Sequence, residues 1–178
     1  KDDFYVQYSE YPGYAQSGYK RWLFLNKQHE DDLESTQSFN ITDAPIIRLG
    51  EVMLNYIEAA AELETLGKYT VTQEDVDATI NKLRTRASFG GKLAKLQIIG
   101  GQPAVNGVVF DDADRDPDVP SFLWEIRRER RVELVYQGFR LNDLKRWRKI
   151  HYLNSDLYPK KTIGCWLEKN DQYKNLIL

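Results

Sequence analysis

Apolar residues recur at intervals of three and four in separate stretches of this chain, which is the period of a helix that buries one face. A glycine stands at or soon after the end of each of the first three stretches, at Gly67, Gly90 and Gly138. Glycine is the usual residue just past a helix C-terminus, so each stretch reads as a separate helix. We therefore expect four helices, at about 45–66, 73–88, 121–136 and 139–150.

The connections inside each pair of predicted helices are short. Residues 67–71 join the first two helices, and a break at Gly138 separates the last two. Short connections favour antiparallel neighbours, so we expect one helical hairpin over 45–91 and another over 120–150. The fold class predicted is mainly α, with tetratricopeptide-like antiparallel helical hairpins, long irregular loops and at most a short β-hairpin. The 34-residue repeat signature of tetratricopeptide proteins is not readable here.

Capping residues and apolar spacing refine the first two helices. Asp43 is a plausible N-cap for the first helix, with Pro45 in its first turn. Thr72 followed by Asp75 resembles a capping box at the start of the second. The expected buried face of the first helix consists of Ile46, Leu49, Met53, Tyr56, Ala60 and Leu63.

The remaining segments show no helical period. Residues 1–44 are rich in aromatic and turn residues, and 151–178 form a second irregular segment. Residues 92–119 read as a loop excursion with turns at Gly100-Gly101 and Asn106-Gly107, in which Leu96–Ile99 could pair with Val108–Phe110. At 178 residues the chain is long enough for one domain with a sizeable core.

Composition excludes several classes of protein. Hydrophobic residues make up 42% and charged residues 29%, which excludes a disordered chain, and no apolar run approaches the ~18 residues of a spanning helix. The net charge of −2 does not suggest a nucleic-acid partner. The cations between Arg127 and Lys149 lie all round their helices, which does not favour a nucleic-acid groove binder. The single cysteine, Cys165, excludes an internal disulfide.

Glu125, Glu129 and Glu133 recur every four residues and therefore share one face of the third helix. Like charges at this spacing repel by about 0.2–0.5 kcal/mol per pair, so something must neutralise them. One interpretation is a carboxylate site for a metal or for acid–base chemistry, but no Glu-x-x-His pair accompanies it. The interpretation we prefer is ion pairing with arginines, especially Arg48 of the first helix.

An acidic loop precedes the third helix. Asp114, Asp116, Asp118 and Glu125 match positions 1, 3, 5 and 12 of an EF-hand loop. Position six of that loop needs glycine, and here it is Val119. A solvated acidic loop is the better interpretation, with calcium left as an alternative.

Nothing in the sequence favours catalysis. It contains no dinucleotide-binding, Walker, G-x-S-x-G or HExxH motif. His29 and His151 read as surface histidines, and Cys165 has no histidine near it in sequence. We therefore predict no catalytic residue, no cofactor and no metal.

Aromatic residues of the N-terminal segment offer a candidate sugar platform, because flat rings cover the apolar faces of pyranoses. The alternative is that these rings tie down an irregular segment over a helical core. The candidate ligand-binding residues are Tyr11, Tyr14, Tyr19 and Trp22.

Three motifs, in order, make the chain resemble the C-terminal region of SusD/RagB-like proteins. The first is Pro45–Ala59, the second is Asn81–Ala87, and the third runs from Ile126 to Trp147 with Gly138-Phe139-Arg140 inside it. Together they cover about 43–150. Gly50 and Ile57 replace the family's usual alanines, and Gln137 replaces an acidic residue before Gly138. Gly50 should weaken its helix by about 1 kcal/mol relative to alanine.

The resemblance implies a non-catalytic nutrient-binding lipoprotein of Bacteroidetes. Such proteins bind glycans, or in some members peptides, at the external face of the outer membrane, as a lid over a SusC-like TonB-dependent transporter. Full-length members are longer and start with a lipidated cysteine after a signal peptide. The resemblance thus implies that this chain, beginning at Lys1, is a C-terminal part of a larger protein, attached to the membrane only through an anchor that it does not contain.

The resemblance also gives the charged motif residues a structural role. Arg–carboxylate pairs between the two hairpins would set how they pack. A helical-repeat scaffold contacting the transporter, or a peptide-binding member of the family, is the alternative function. The expected ion-pair network consists of Arg48, Glu51, Glu58, Glu129, Arg130, Glu133, Arg140, Asp143 and Arg146.

Overall fold

The computed structural model describes residues 45–86, 90 and 93–158. They divide between two compact units, one spanning Pro45–Arg140 and one that includes the residues from Leu141 onward. The described residues are mainly α-helical with one small sheet, which confirms the predicted mainly α class. The elements of the first unit are α1 (Leu49–Thr65), α2 (Gln73–Ala78), α3 (Ile80–Arg84), β1 (Leu96–Ile99), β2 (Gln102–Val105), β3 (Val108–Val109) and α4 (Ser121–Glu133).

Helix α1 starts later than predicted and stops where predicted. Its N-cap is Arg48, in an extended conformation, so Pro45 lies outside the helix, and Asp43 lies outside the described residues. At the other end Gly67 has φ 65°, and its N–H donates to the Glu64 carbonyl at 2.9 Å. This left-handed position after the last turn is where glycine carries no steric penalty.

The predicted buried face of α1 is wrong for most of its residues, although Ala60 is buried as expected. Leu49 is 68% exposed and Tyr56 51% exposed, although both were expected in the core. The helix has a second set of apolar residues, and that set faces α2, α3 and α4. Periodicity identifies an apolar face but cannot choose between two. The residues of α1 that are buried are Leu54, Ile57, Glu58, Ala60 and Ala61.

The second predicted helix is interrupted at Thr79. Its start is as expected: Thr72 Oγ1 accepts from the Asp75 N–H, and Asp75 Oδ2 accepts from the Thr72 N–H at 2.9 Å, a complete capping box. At Thr79 the backbone leaves helical geometry, with φ −122° and ψ −91°. The Thr79 hydroxyl donates to the Asp75 carbonyl at 2.6 Å, a local bond that competes with the helix. The segment therefore forms two short helices.

The strands form a three-stranded antiparallel sheet in the order β1-β2-β3. The predicted pairing of Leu96–Ile99 with Val108–Phe110 is wrong, because β2 lies between them, with Leu96 opposite Val105 and Ala104 opposite Val109. Both turns are as predicted. Asn106 and Gly107 have φ 51° and 78°, as a two-residue type I′ hairpin requires. Gly100-Gly101 forms the equivalent turn between β1 and β2, again with both φ angles positive.

A single hydrophobic core joins α1, α2, α3 and α4 to strand β1. Asn81 attaches the sheet to the helices, because its side chain accepts from the Leu96 N–H at 2.7 Å and donates to the Leu96 carbonyl at 2.8 Å. An amide side chain thus takes the place of a neighbouring strand. The core residues are Ile57, Ala60, Ala61, Val71, Val76, Ile80, Leu96, Val119, Phe122, Leu123 and Ile126.

Helix α5 (Phe139–Arg146) begins after Gly138, as predicted, but ends before the expected Ile150. A 3-10 helix (Ile150–Leu153) follows it. Within the second unit Leu144 and Tyr152 are buried, and the Lys149 N–H donates to the Leu144 carbonyl at 2.8 Å. No helix in the described part of the chain has the length and apolar character needed to cross a membrane.

Candidate functional site

The carboxylates on one face of α4 meet arginines. Glu125 is 2% exposed, and it accepts from Arg84 Nη2 at 3.0 Å and from Arg128 Nε at 2.7 Å. These hydrogen bonds hold the pKa of Arg128 above its usual value, the bond to Glu125 contributing most. Two guanidinium groups thus compensate the charge of this buried carboxylate.

Arg84 of α3 bridges two turns of α4. Its Nη2 lies 2.7 Å from Glu129 Oε1 as well as 3.0 Å from Glu125 Oε1, and its Nη1 donates to the Ala94 carbonyl at 3.0 Å. Sequence reasoning placed Glu129 opposite α1, but its partners are Arg84 and Arg128. In the sequence, Arg84 is marked only by its place in the second motif. That motif does not indicate which carboxylates Arg84 contacts.

Glu133 connects α4 to the N-terminal end of α1. Arg86 binds it with two parallel hydrogen bonds, from Nη1 to Oε1 at 2.8 Å and from Nη2 to Oε2 at 2.7 Å. Arg48 Nη2 lies 3.4 Å from the same Oε1. The bidentate geometry gives direction as well as charge neutralisation.

Arg130 is the most deeply buried cation of this group. It is 4% exposed and Glu58 is 3% exposed, with 3.8 Å between Arg130 Nε and Glu58 Oε2. Its Nη1 donates to Asn55 Oδ1 at 2.7 Å, and its guanidinium carbon lies 5.7 Å from the centre of the Phe139 ring. This contact ties the last turn of α4 to the middle of α1.

Four other residues of the expected network can also be placed. Glu51 is half-buried in the first turn of α1, and Arg140 is half-buried in α5. Asp143 is buried, and its Oδ1 lies 2.9 Å from Arg146 Nη2 on the same helix. The charged residues of α4 described above have their partners around Glu125 with Glu129, around Glu133, and around Arg130.

The acidic loop is held together by its own backbone. Asp112 Oδ1 accepts from the Asp114 N–H at 2.9 Å, and Asp116 Oδ1 accepts from the Asp118 N–H at 3.0 Å. Glu125, the twelfth position of the EF-hand pattern, is turned toward arginines instead. Among residues 45–86, 90 and 93–158 no group of three or more histidine, cysteine or acidic side chains could hold a metal ion.

A separate polar cluster lies where α1, its following loop and α2 meet. Tyr56 of α1 donates to Asp75 Oδ1 at 2.8 Å, and Tyr69 of the loop lies 3.1 Å from each Asp75 oxygen. Bonds to Tyr69 and Asp75 raise the pKa of Tyr56. Burial alone would raise the pKa of Asp75, but the bonds from Thr72 and both tyrosines bring it below its usual value. Sequence reasoning missed this cluster apart from the capping pair.

Several candidate residues lie outside the described part of the chain. They include the aromatic ligand-binding candidates, and also His29 and Cys165. His151 is exposed, with its ring centre 5.0 Å from that of Tyr152. The candidates outside the described residues are Tyr11, Tyr14, Tyr19 and Trp22.

The motif residues thus form ion-pair clusters that join α1, α3 and α4, and the family comparison agrees with the motifs. A family model described as the SusD family matches residues 2–176. The chain belongs to the SusD family. The match extends well beyond the motif region of 43–150. SusD-family proteins are in general nutrient-binding, non-catalytic proteins associated with the outer membrane. No curated protein and no solved structure matches this chain.

Proposed function

We propose that this SusD-family chain is part of a non-catalytic glycan-binding component of a TonB-dependent outer-membrane uptake system. The observation that carries the proposal is the family match over residues 2–176. Its described helical part serves mainly as scaffold, because its buried charged residues are engaged with one another across α1, α3 and α4. The whole protein lies on the external face of the outer membrane, attached by a lipid anchor, with a SusC-like transporter as its partner.

The absence of catalysis in this proposal has a chemical basis in α4. A hydrolase needs carboxyl groups whose protonation states can change during the reaction. Glu125, Glu129 and Glu133 instead accept hydrogen bonds from arginines at 2.7–3.0 Å, so their oxygens are engaged in holding α4 against its neighbours.

Titration calorimetry of the chain against maltohexaose, cellohexaose, xylohexaose and mannohexaose tests the proposal. We expect measurable heat of binding with at least one oligosaccharide, and no shorter products by chromatography after prolonged incubation. Binding that requires the full-length protein would assign the contact residues to another part of it and leave this chain as scaffold. Absence of binding by the full-length protein to any glycan would overturn the glycan assignment, and released products would overturn the non-catalytic one.

One observation favours the second candidate, a scaffold that contacts the transporter. The outward face of α1 carries large apolar residues at helical spacing, and contiguous exposed apolar surface is typical of protein contacts. We expect the full-length protein to co-purify with its transporter, and replacement of two of these residues by lysine to abolish that co-purification. The exposed residues are Leu49, Val52, Tyr56, Leu63 and Leu66.

A peptide-binding member of the family would instead give heat of binding with oligopeptides and none with glycans.

A further inference from the structure

Tyr56 and Tyr69 direct their hydroxyl groups toward the protein, which is the reverse of an ordinary surface tyrosine. A surface tyrosine usually packs its ring on the protein and directs its hydroxyl to water. Here both hydroxyls point inward to Asp75, which is 9% exposed, while Tyr56 is 51% exposed and Tyr69 is 39% exposed. The part of each side chain that faces solvent is therefore mainly its ring.

The two rings are also held in place. Each hydroxyl is bonded to one carboxylate, and that carboxylate is itself fixed by the Thr72 N–H at 2.9 Å and the Thr72 hydroxyl at 2.8 Å. Three consecutive elements, α1, the connecting loop and α2, thus converge on one anchor. Rings fixed before a ligand arrives lose little rotamer entropy on binding, which favours affinity.

Exposed polar residues stand close to Tyr69 in the chain. Lys68 and Thr70 are its immediate neighbours, and Glu74 follows five residues later. Side chains this close in sequence can supply hydrogen-bond donors and acceptors to a ligand that lies on the Tyr69 ring. That combination matches a pyranose, whose faces carry C–H groups and whose rim carries hydroxyls.

The charge around the rings selects among sugars. The Asp75 carboxylate lies behind them, and bonds to its oxygens keep it ionised by holding its pKa below the usual value. Glu74 is exposed nearby, and Glu64 Oε1 accepts from the Val71 N–H at 3.0 Å. Lys68, exposed next to Tyr69, offsets one of these three carboxylates, so the local charge stays negative. A uronic acid or sulfated sugar would be repelled by this excess negative charge, whereas a neutral sugar would not.

We propose that Tyr56 and Tyr69, anchored on Asp75, form a binding platform for one ring of a neutral saccharide. This inference rests on the proposed glycan-binding function and gives it a location within the described residues. A protein surface is the competing occupant, because Tyr56 also belongs to the exposed apolar face of α1. The two differ in whether neighbouring leucines matter, since a single sugar ring needs only the two tyrosines and the polar residues close to Tyr69.

The test compares binding of the same neutral hexasaccharides by the wild-type chain and by matched variants. Tyr56→Ala and Tyr69→Ala should each weaken binding by about tenfold or more, since tenfold corresponds to the loss of about 1.4 kcal/mol. Tyr56→Phe, which keeps the ring but not its bond to Asp75, should weaken binding less than Tyr56→Ala. Leu63→Ala removes an exposed apolar side chain of the same helix that lacks the ring, and should leave binding unchanged.

A second measurement is made on the wild-type chain and uses only the Tyr→Phe variants, for assignment. With ring-labelled tyrosine, the resonances of Tyr56 and Tyr69, assigned with the Phe variants, should shift on addition of the bound hexasaccharide. Wild-type binding with unmoved Tyr56 and Tyr69 resonances, or with unchanged affinity in both Ala variants, would overturn the platform and leave the proposed function intact. Equal loss of saccharide binding in Leu63→Ala would show that the effect is not specific to the two tyrosines and would overturn the platform. Absence of binding by the wild-type chain to every neutral hexasaccharide would overturn the platform here, while binding by the full-length protein would still support the proposed function.

Discussion

The Glu133 carboxylate of α4 lies against Gly50 in the first turn of α1, where a Cβ atom would come within 3.2 Å of Oε1. The carboxylate has little freedom to move away, because Arg86 holds both of its oxygens and Arg48 lies 3.4 Å from one. Leu83 Cδ2 would be 3.5 Å from the same Cβ. Glycine lowers the helix propensity at this position, but the missing side chain leaves room for the Glu133 carboxylate. The N-terminus of α1 carries a partial positive charge, which favours an anion beside it.

Gly50→Ala should therefore fail to stabilise the chain. Helix propensity alone favours alanine by about 1 kcal/mol, but the new methyl group would crowd a carboxylate held by two arginines. The free energy of unfolding in urea should stay level or fall. In a Glu133→Ala background, which removes the crowding, the same substitution should raise stability by about 1 kcal/mol. An equal increase in the free energy of unfolding in both backgrounds would show that the Glu133 carboxylate moves aside easily, and would contradict this prediction.

Arg130→Ala should be among the most destabilising changes in α4. It removes a cation that lies 3.8 Å from the buried Glu58 and that donates to Asn55, and loss of one partner of a buried pair costs about 3–5 kcal/mol. Chemical denaturation measures this directly. The double variant Arg130→Met with Glu58→Leu removes both charges and should cost clearly less than Arg130→Ala. A thermal midpoint unaffected by Arg130→Ala would contradict a scaffold role for the pair.

Arg84→Lys should be costly although charge is conserved. Arg84 contacts Glu125, Glu129 and the Ala94 carbonyl through separate nitrogens, and one ammonium group cannot reproduce that fork. We expect a loss of about 2–3 kcal/mol, the range for an unmet buried charged hydrogen bond. Arg128→Lys provides the control: Arg128 is 45% exposed, so its loss should stay near 0–1 kcal/mol. Equal effects of the two substitutions would show that burial does not govern this cluster.

Asp75→Asn should produce a pH-dependent loss of stability. The pKa of Asp75 is lowered in the fold from 3.8, so its ionised form adds stability that is full above pH 3.8 and lost as pH falls through the folded-state pKa. The amide oxygen of the variant can still accept from the Thr72 N–H, but its NH2 group cannot accept from the Tyr56 hydroxyl, and the loss of that hydrogen bond costs about 1 kcal/mol. Thermal midpoints should differ most near neutral pH and converge below pH 3.8. A difference that grows on acidification would contradict this assignment.

Local sequence predicted the features whose partners lie close in the chain. The Thr72–Asp75 capping box, the helix end at Gly67 and the Asn106-Gly107 turn all depend on bonds or backbone angles within a few residues. Thr79 is the exception. Its hydroxyl donates to the carbonyl of Asp75, four residues earlier, but the same bond can form inside an uninterrupted helix, so the sequence did not predict the break. Strand β2 was not predicted because it contains a proline at position 103. Proline usually argues against a strand that pairs with neighbours on both sides, as β2 does.

The sequence by itself determined the mainly α class, the shared face of Glu125, Glu129 and Glu133, and the family, because periodicity and motif order are properties of the chain. Only the tertiary structure decided which face of α1 is buried, which arginine meets each carboxylate, and that two tyrosines share Asp75. Those outcomes depend on which surfaces meet across long stretches of chain. Two apolar faces of one helix look alike in sequence, and burial distinguishes them only when another element covers one.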